Sequence, residues 1–461
     1  MLLNEVVNKL SFICGDQYVI TDAEALHDYE HDQTLGLNYK FEILVKPASA
    51  HEISGILNIC NEFNLPVTPR GGGSGVTGGA LPLHGGVVLS LVRLNSIITI
   101  NQVDGYVIAE SGVITADLCD AVEQHNLYFP VAPSSAAYSF VGGNVAENAG
   151  SVNSSKYGTT ARYILNLEVV LPNGAIIWTG ANVSKNSTGL NLTQLFAGSE
   201  GILGVITKVV YKLLPKPNHQ ALLLAAFENL EDAFNVVIAI KRSSLSPCAV
   251  ELVCNNALFV TAEYLGGTFP LVREGINAHL LIDFKETRAQ YLDDAIEEAY
   301  LIVEKFTKEN ILVATTAAEK EKLWKLRMSI GAALTANNKI YRDIDICMPL
   351  SALYNYVQKV EAICRQYQVP VACFGHVFDG NLHTMLTITE NMVKAEHVDK
   401  AVNEIYEYAI LNGGVISGEH GIGLLQKQFM AKQFTEAHLK LMQSIKNVFD
   451  PAGILNPGKV V

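Results

Sequence analysis

The sequence predicts an α+β protein of more than one domain, and three features of the chain support that prediction. Short apolar runs alternate with stretches of helical periodicity over roughly the first 215 residues. A segment with two prolines, Lys212–Asn218, then interrupts the pattern, because proline cannot continue a strand ladder. Longer apolar runs and amphipathic stretches follow. Antiparallel strands backed by helices are expected there, whereas the alternation in the first 215 residues by itself fits either an α/β or an α+β fold.

The chain is expected to divide into a first domain at 1–217, a second at 218–402 and a helical C-terminal segment at 403–461. In the first domain we expect strands at 87–91, 167–171 and 205–214 and helices at 50–64 and 116–126. In the remainder we expect strands at 221–227, 249–253 and 279–284 and helices at 230–244, 290–309, 401–411 and 436–449.

The composition excludes several classes of protein. With 461 residues, 49% of them apolar, the chain can bury large cores, and its net charge of −13 argues against nucleic acid or an anionic membrane surface as partner. No apolar run reaches the ~18 residues of a membrane span. Residues 1–10 resemble a short amphipathic helix and not a signal peptide. The eight cysteines form no C-x-x-C pair, so we expect reduced thiols and a cytoplasmic protein, with peripheral attachment at the inner face of the membrane as the alternative.

A glycine-rich segment, Pro69–Gly79, follows a short strand-like run. Its backbone N–H groups can point one way without obstruction by Cβ atoms, which suits a pyrophosphate. The G-x-G-x-x-G spacing at Gly73–Gly78 fits the dinucleotide pattern, but a Rossmann loop must open a helix and Gly79–Pro82 cannot do so. Glycine clusters at 142–150 and 197–207 have the same character. Three such segments in one domain predict a long ligand that lies across all of them.

Two histidines and a later carboxylate predict a metal site. The Asp-Gly pair at 379–380 is a two-residue hairpin signal between apolar runs. A tight turn there would pair His376 with His383 on one face, with their Cβ atoms roughly 5 Å apart. Glu419, in a Gly-flanked segment, is the best candidate for a third ligand. A pair of hydrogen-bonded strand histidines is the alternative, and His420 beside the carboxylate shifts the balance toward a site.

Together with the ending Asn456–Lys459, these segments resemble the FAD-linked oxidase family, whose flavin domain is of the p-cresol methylhydroxylase/vanillyl-alcohol oxidase type. The resemblance covers nearly the whole chain and is nearest to the D-lactate, D-2-hydroxyglutarate and glycolate dehydrogenase branch. It implies a two-part FAD-binding domain, a substrate (cap) domain whose antiparallel sheet carries the metal hairpin, and a helical C-terminal segment that returns to the flavin.

The resemblance assigns FAD to a set of backbone-rich positions. These are Pro69, Arg70, Gly71, Gly72, Gly73, Ser74, Gly75, Gly78, Pro133, Ser134, Gly142, Gly143, Asn144, Asn148, Gly150, Tyr157, Gly158, Glu200, Gly201, Gly204, Ile206 and Asn456. Some relatives attach the flavin through a His or Cys. The phosphate loop here carries Ser74 and neither of those residues, so FAD is expected to be bound non-covalently.

The resemblance also implies the chemistry. His376, His383 and Glu419 match the metal ligands, His420 the acid/base, and Arg327 the guanidinium that holds the substrate carboxylate. A divalent metal lowers the pKa of the C2 hydroxyl, and a neutral imidazole beside it takes the proton while flavin N5 takes the hydride. Zinc is the first choice of metal for two histidines and one carboxylate, and the same set also suits iron or manganese.

The predicted substrate is a small D-2-hydroxy acid, with D-lactate favoured. Relatives that bind a second carboxylate place Thr, Lys and Asn around it, whereas the matching positions here are Gly331, a residue near Arg342 or Asp343, and Met385. Glycine and methionine cannot hydrogen-bond a distal carboxylate, and an unpaired one is costly. Arg342 keeps a dicarboxylate such as D-2-hydroxyglutarate open, and glycolate is a further alternative.

The chain carries no ferredoxin cluster motif, so electrons are expected to leave through a separate acceptor: a quinone, a cytochrome or an electron-transfer flavoprotein. A homodimer is compatible with these features. The alternative from another class is a flavin-binding subunit of a glycolate oxidase complex, which would not need the metal and histidine residues. A metal-dependent hydrolase without flavin would leave the three glycine segments unexplained.

Overall fold

The computed structural model describes residues 2–267, 269–336, 339–388 and 395–461. The chain forms two compact units, and each unit is built from more than one stretch of the sequence. Unit 1 consists of Met1–Ser151, Thr159–Lys216 and Glu419–Val461, and unit 2 consists of Val152–Gly158 and Pro217–Gly418.

Residues 1–216 form short strands and helices. In chain order they are α1 (Leu2–Cys14), β1 (Val19–Ile20), α2 (Ala23–Leu26), β2 (Ile43–Val45), α3 (Ala50–Glu62), β3 (Val67–Arg70), β4 (Val87–Ser90), β5 (Ile97–Asn101), β6 (Tyr106–Glu110), α4 (Thr115–Glu123), β7 (Leu127–Tyr128), α5 (Val141–Glu147), α6 (Ser154–Tyr157), β8 (Ile164–Val170), β9 (Ile176–Trp178), α7 (Leu192–Phe196), β10 (Val205–Lys212) and β11 (Leu214–Pro215).

Unit 1 contains three sheets. The first is mixed, with strand order β1-β2-β4-β3, and the second is antiparallel, with order β5-β6-β10-β8-β9. Strands β7 and β11 form the third, a two-stranded sheet. Helix α3 is capped by Ser49, whose Oγ accepts from Glu52 N, and Glu52 Oε2 accepts from the preceding Ala48 N. The helix then buries Ile53 and other apolar residues in the core of the first sheet.

Residues 217–418 form longer elements, which alternate between strand and helix for much of their length. They are β12 (His219–Phe227), α8 (Leu230–Arg242), β13 (Ala249–Cys254), α9 (Asn255–Tyr264), β14 (Ala278–Glu286), α10 (Ala289–Val303), β15 (Leu312–Ala314), α11 (Ala317–Ala336), β16 (Lys339–Cys347), α12 (Leu350–Tyr367), β17 (Val371–His376), β18 (Asn381–Ile388) and α13 (Ala395–Leu411). In unit 1 the chain ends with α14 (Met430–Gln433) and α15 (Glu436–Phe449).

The strands of unit 2 form one antiparallel, seven-stranded sheet with order β15-β12-β14-β13-β17-β18-β16. The predicted α+β class and the antiparallel sheet after the proline break are therefore confirmed. The helix predicted at 436–449 has those bounds, whereas the one predicted at 290–309 ends at Val303. Among the described residues, no helix is both long and apolar enough to cross a membrane.

The histidine hairpin forms with a register that differs from the prediction. The predicted pairing of His376 with His383 is wrong, since Phe374 is the residue opposite His383. The connection is the longer segment 377–380, not a two-residue turn. Its geometry follows from neighbouring strands: Val377 N donates to Val250 O of β13 at 3.1 Å, and Gly375 has a φ of 142°. The chain at the end of β17 is therefore hydrogen-bonded to β13. The connection begins at Val377, two residues before the predicted Asp-Gly turn.

Candidate active site

The three glycine segments of unit 1 lie side by side. A Cβ built on Gly71 would come within 3.8 Å of the Cα of Gly143, so the first and second segments touch. The second and third are joined by a backbone hydrogen bond from Glu200 N to Ala146 O of 2.8 Å. Residues more than a hundred positions apart thus form one continuous backbone surface, as expected for a ligand that lies across all three.

The backbone geometry of these segments fits the close approach of a phosphate-bearing ligand. Gly73 and Gly78 have φ values of 68° and 81°, which side chains rarely adopt. A Cβ on Gly72 would lie 2.2 Å from Tyr138 O, whereas no atom lies within 4 Å of a Cβ on Gly75 or Gly143. The loop is therefore packed against the protein at Gly72 and open at Gly75. Residues 71–86 form turns and bends without a helix, in agreement with the rejection of a Rossmann loop.

Arg70 uses its side chain to hold a neighbouring segment of unit 1. Its guanidinium donates to His31 O at 2.8 Å and to Tyr29 O at 3.3 Å, and it stacks on the Tyr29 ring. Burial lowers the pKa of this guanidinium, while Asp32 opposes the shift. These bonds hold the segment that contains Tyr29 and His31 beside the end of β3.

The other positions predicted to contact FAD are divided between the two units. Asn148, Glu200 and Asn456 adopt left-handed backbone conformations, with φ values of 54°, 49° and 46°. Most of the set lies in unit 1, namely Pro133, Ser134, Gly142, Gly143, Asn144, Asn148, Gly150, Glu200, Gly201, Gly204, Ile206 and Asn456. Tyr157 and Gly158 lie in unit 2.

The C-terminal segment is built into the first sheet of unit 1. Leu455 forms a parallel bridge with Val67, and Asn456 Nδ2 donates to Gly79 O at 3.1 Å and to Glu200 O at 2.8 Å. Lys459 Nζ donates to Gly79 O at 2.9 Å and to Asn456 Oδ1 at 2.6 Å. Burial lowers the pKa of Lys459 to about 7, although nearby carboxylates oppose that shift. The chain end thus ties the first and third glycine segments together.

The segment that carries His420 is also held within unit 1. Thr77 Oγ1 donates to His420 O at 3.1 Å. Glu200 accepts from Ile422 N and from Gly423 N, each at 2.7 Å. Sequence reasoning placed Glu200 among the FAD contacts and did not foresee this use of its side chain.

In unit 2 a buried ion network joins Arg327 to His376 through Glu251. Glu251 Oε2 accepts from Arg327 Nε at 2.5 Å, and its Oε1 lies 2.5 Å from His376 Nδ1. Glu251 is fully buried, which alone would raise its pKa, but the charges of His376 and Arg327 hold the pKa at about 2. Sequence reasoning missed Glu251. An acidic residue in the otherwise apolar strand Ala249–Cys254 was the available signal, because a buried carboxylate needs a partner.

His376 and His383 come together despite the altered register. Their ring centroids are 5.7 Å apart and both rings are buried. The Phe374 ring packs at 5.4 Å from His383, and the guanidinium carbon of Arg327 lies 5.0 Å from the centroid of the same ring. Unit 2 therefore gathers two predicted metal ligands and the predicted carboxylate-binding arginine around one aromatic side chain.

The residue that precedes Glu419 is fixed beside this pair. Asp345 lies opposite His383 in the register of β16 and β18. Its carboxylate accepts from Gly418 N at 2.9 Å and from Ser417 Oγ at 3.1 Å. A Cβ on Gly418 would lie 2.2 Å from Asn381 Nδ2, so only glycine fits there. Glu419 then begins the last segment of unit 1.

Sequence models of two protein domains match this chain. The model described as FAD linked oxidases, C-terminal domain, matches residues 216–460, and the model described as FAD binding domain matches residues 41–180. The chain belongs to the FAD-linked oxidases. A D-lactate dehydrogenase from Anaerostipes hadrus is 35% identical over 463 residues, which cover 99% of this chain and 97% of the relative. The glycolate oxidase subunit GlcD from Bacillus subtilis (strain 168) is 34% identical, and the match covers 100% of this chain and 97% of the relative.

Solved structures agree with the fold of an FAD-linked oxidase. The crystal structure of p-cresol methylhydroxylase with substrate bound has a TM-score of 0.79 and 19% sequence identity, and it covers 99% of this chain and 96% of that chain. At this identity the likeness shows the fold alone. The predicted family, the p-cresol methylhydroxylase type of flavin domain, FAD as cofactor and the oxidoreductase class are confirmed.

Proposed function

We propose that this FAD-linked oxidase is a dehydrogenase that oxidises a D-2-hydroxy acid, with D-lactate favoured, to the 2-oxo acid. The observation that carries the proposal is the network of Arg327, Glu251 and His376, because one buried carboxylate holds both the guanidinium from helix α11 and the imidazole at the end of β17. A 2-hydroxy acid presents a carboxylate and an adjacent hydroxyl at matching positions. The name of the D-lactate dehydrogenase relative supports the same substrate class.

Arg327 would hold the C1 carboxylate of the substrate. Because Glu251 accepts from Nε, the terminal Nη1 and Nη2 groups form the other edge of the fork, and such an edge suits bidentate binding of a carboxylate. The guanidinium also makes a cation–π contact with the Phe374 ring. A fixed carboxylate would orient C2–H and the C2 hydroxyl, which is the positioning that accelerates a transfer between bound groups.

FAD bound non-covalently along the glycine segments of unit 1 supplies the hydride acceptor. His376, His383 and Glu419 would hold a divalent metal, zinc before iron or manganese, which would supply a Lewis acid for the C2 hydroxyl. The donor set fits such an ion, because Glu251 contacts Nδ1 of His376 and leaves Nε2 as the ligand atom, the arrangement in which carboxylates orient metal-binding histidines. His420 would take the hydroxyl proton.

The surroundings of Arg327 support a small or apolar C3 substituent. Met385 packs in an apolar cluster with Leu326, Ile330 and Phe374, so this side of the site offers little to a second carboxylate. Gly331 adds no side chain there. Arg342, on β16 opposite Leu386, is the feature that favours a dicarboxylate such as D-2-hydroxyglutarate, and glycolate is the smallest alternative.

Electrons would pass from the reduced flavin to a separate acceptor, a quinone, a cytochrome or an electron-transfer flavoprotein. The relative named as a glycolate oxidase subunit favours a second function, that of a flavin-binding subunit within a larger assembly. A chain with only that role would have no use for the network of Arg327, Glu251 and His376, which is why the catalytic function is preferred.

Anaerobic titration of the purified protein tests the proposal. The protein should be yellow, and D-lactate should bleach the flavin absorbance whereas L-lactate should not. A stopped-flow series with glycolate, D-lactate and D-2-hydroxyglutarate then ranks the acids by reduction rate. A flavin that none of the 2-hydroxy acids reduces would contradict the proposal and favour the subunit role.

The metal is tested separately from the flavin. His376→Ala and His383→Ala should lose bound metal and flavin reduction while FAD stays bound, because both histidines lie in unit 2 and the glycine segments lie in unit 1. Metal analysis and the flavin spectrum give the two readouts. Full reduction rates in metal-depleted protein would show that the histidines have another role.

A further inference from the structure

The segment Glu419–Gly423 is the part of unit 1 that carries the proposed proton acceptor, and two side chains grip its backbone. Glu200 binds the segment after His420, and Thr77 binds His420 itself. We infer that Glu200 is a positioning residue for His420, with Thr77 completing the same clamp. The inference rests on the proposed function, in which His420 takes the proton of the C2 hydroxyl.

Glu200 makes the stronger half of the clamp. Its side chain is buried, and each carboxylate oxygen accepts one backbone N–H, Oε1 from Ile422 and Oε2 from Gly423, both at 2.7 Å. Burial raises the pKa of the Glu200 carboxyl, and the N–H groups of Ile422 and Gly423 oppose that shift because they stabilise the ionised form. Only a carboxylate offers two acceptor oxygens at this spacing, because an amide would turn an N–H group toward one of the two donors.

Thr77 binds the same segment at two further points. Its Oγ1 donates to His420 O at 3.1 Å, and its own carbonyl accepts from Leu424 N at 2.8 Å. Two glycines complete the fit. A Cβ on Gly421 would lie 2.3 Å from Glu147 Oε2, and a Cβ on Gly423 would lie 2.3 Å from Thr77 O. The backbone on both sides of His420 is therefore held at fixed points.

The two clamping residues belong to the segments that would hold FAD. Thr77 lies in Pro69–Gly79, and Glu200 lies in the third glycine segment, where its backbone carbonyl accepts from Asn456 Nδ2. The loops that would hold the flavin thus also supply the two side chains that hold the His420 segment. A base held by the flavin-binding loops keeps its distance from the flavin, and an error of about 1 Å in such a distance can slow a reaction about 10²-fold.

Glu200→Gln is the direct test. It keeps the size of the side chain and removes one acceptor oxygen. We expect FAD to stay bound and the rate of anaerobic flavin reduction by D-lactate to fall about 10²-fold. Glu52→Gln is the matched control, because Glu52 is a partly buried carboxylate of unit 1 that also accepts a backbone N–H, from Ala48 at the start of α3, outside the three glycine segments. The control should reduce at the wild-type rate.

A double-mutant cycle with His420→Asn separates positioning from a general structural effect. If Glu200 acts through His420, adding Glu200→Gln to His420→Asn should cause no further loss of rate. Hydrogen exchange gives a readout that does not need activity. The amides of Ile422 and Gly423 should exchange roughly 10-fold faster in Glu200→Gln holoprotein than in wild type, the factor expected for one lost hydrogen bond. Thr77→Val should act in the same way and serves if Glu200→Gln does not fold.

The outcomes are distinct. Equal slowing by Glu200→Gln in the wild-type and His420→Asn backgrounds would overturn the inference, because the residue would then act independently of His420. Unchanged exchange at residues 420–424 would overturn it as well. A wild-type flavin that no 2-hydroxy acid reduces would refute the proposed function instead, and the exchange measurement would still decide whether Glu200 holds the segment.

Discussion

Unit 2 and unit 1 present their candidate residues in opposite ways. In unit 2 the candidate groups are side chains on paired strands, and they are fixed by a buried carboxylate that contacts Arg327 and His376 together. In unit 1 the binding surface is backbone, and buried side chains such as Glu200, Asn456 and Lys459 hold that backbone from behind. Removal of charge should therefore damage unit 2 most, and addition of a Cβ should damage unit 1 most.

The largest effect is expected at Glu251. Glu251→Ala leaves the Arg327 guanidinium without its buried partner and His376 without its orienting carboxylate. Breaking a buried ion pair in this way costs about 3–5 kcal/mol of unfolding free energy. Flavin reduction by D-lactate should fall by at least about 10²-fold, because the two groups that meet the substrate lose their positions. Urea unfolding and stopped-flow absorbance measure the two losses.

Glu228→Ala is the control for Glu251→Ala, since Glu228 pairs with Arg273 on the surface of the same unit. An exposed pair contributes about 0–1 kcal/mol, and the flavin should react normally. Similar losses in the two variants would mean that burial of the network has no special importance.

In unit 1 the sharpest contrast is between two glycines of one loop. A Cβ on Gly72 would meet Tyr138 O at 2.2 Å, so Gly72→Ala should lower the unfolding free energy by about 1–3 kcal/mol. A Cβ on Gly75 meets no protein atom within 4 Å, so Gly75→Ala should leave stability within about 0.5 kcal/mol of wild type. If the pyrophosphate lies in front of Gly75, that variant should instead bind FAD more weakly. Unchanged FAD retention in Gly75→Ala would place the ligand elsewhere.

Asp345→Asn tests the proposed ligand role of Glu419. Asp345→Asn should weaken the hold on Gly418 N and so disturb the position of Glu419, the next residue. We expect metal affinity to fall about 10- to 100-fold, as for other residues that orient ligands, with FAD retained. Asp283→Asn is the control, because Asp283 is equally buried in the same sheet but accepts from Gln220. Equal metal loss in both variants would count against a ligand role for Glu419.

The last effect is a pH dependence in the core of unit 2, which concerns stability and not the reaction. Burial lowers the pKa of His279 from its ordinary 6.5 to about 4, although a hydrogen bond to Leu271 O opposes the shift. As the pH falls below 6.5, His279 becomes protonated in the unfolded chain but stays neutral in the folded chain. The unfolding free energy therefore decreases progressively toward pH 4. At pH 5 the loss should be about 2 kcal/mol. His279→Gln removes the titration, so its urea midpoint should change less than that of wild type between pH 7.5 and 5.

Local signals in the chain predicted the glycine loops and several of the helices and strands, and the resemblance to a known family added the cofactor. Glycine spacing in Pro69–Gly79 predicted an open backbone loop that does not begin a helix, and the structure has one. Apolar periodicity predicted α15 with its observed bounds. Such features depend on residues close together in sequence, whose conformational preferences act without the rest of the fold.

The hairpin register could not be read from its own residues. The Asp-Gly pair favours a tight turn at 379–380, but Val377 N bonds to Val250 O on β13, and the pairing of β17 with β18 ends before the predicted turn. Sequence reasoning considered only the two strands of the hairpin. A strand in the middle of a sheet must satisfy both neighbours, and the neighbour from a distant part of the chain prevailed.

The sequence by itself determined the candidate histidines, through residue type and short spacing, and it determined the family and the flavin cofactor through the resemblance that its motifs carry. Only the tertiary structure decided what holds them. Glu251 meets His376 from 125 residues away, and Glu200 meets Ile422 from 222 residues away. Nothing in the local pattern of either glutamate specifies its partner. Each partner is selected because a buried carboxylate must be hydrogen-bonded, and the fold decides which donors are within reach.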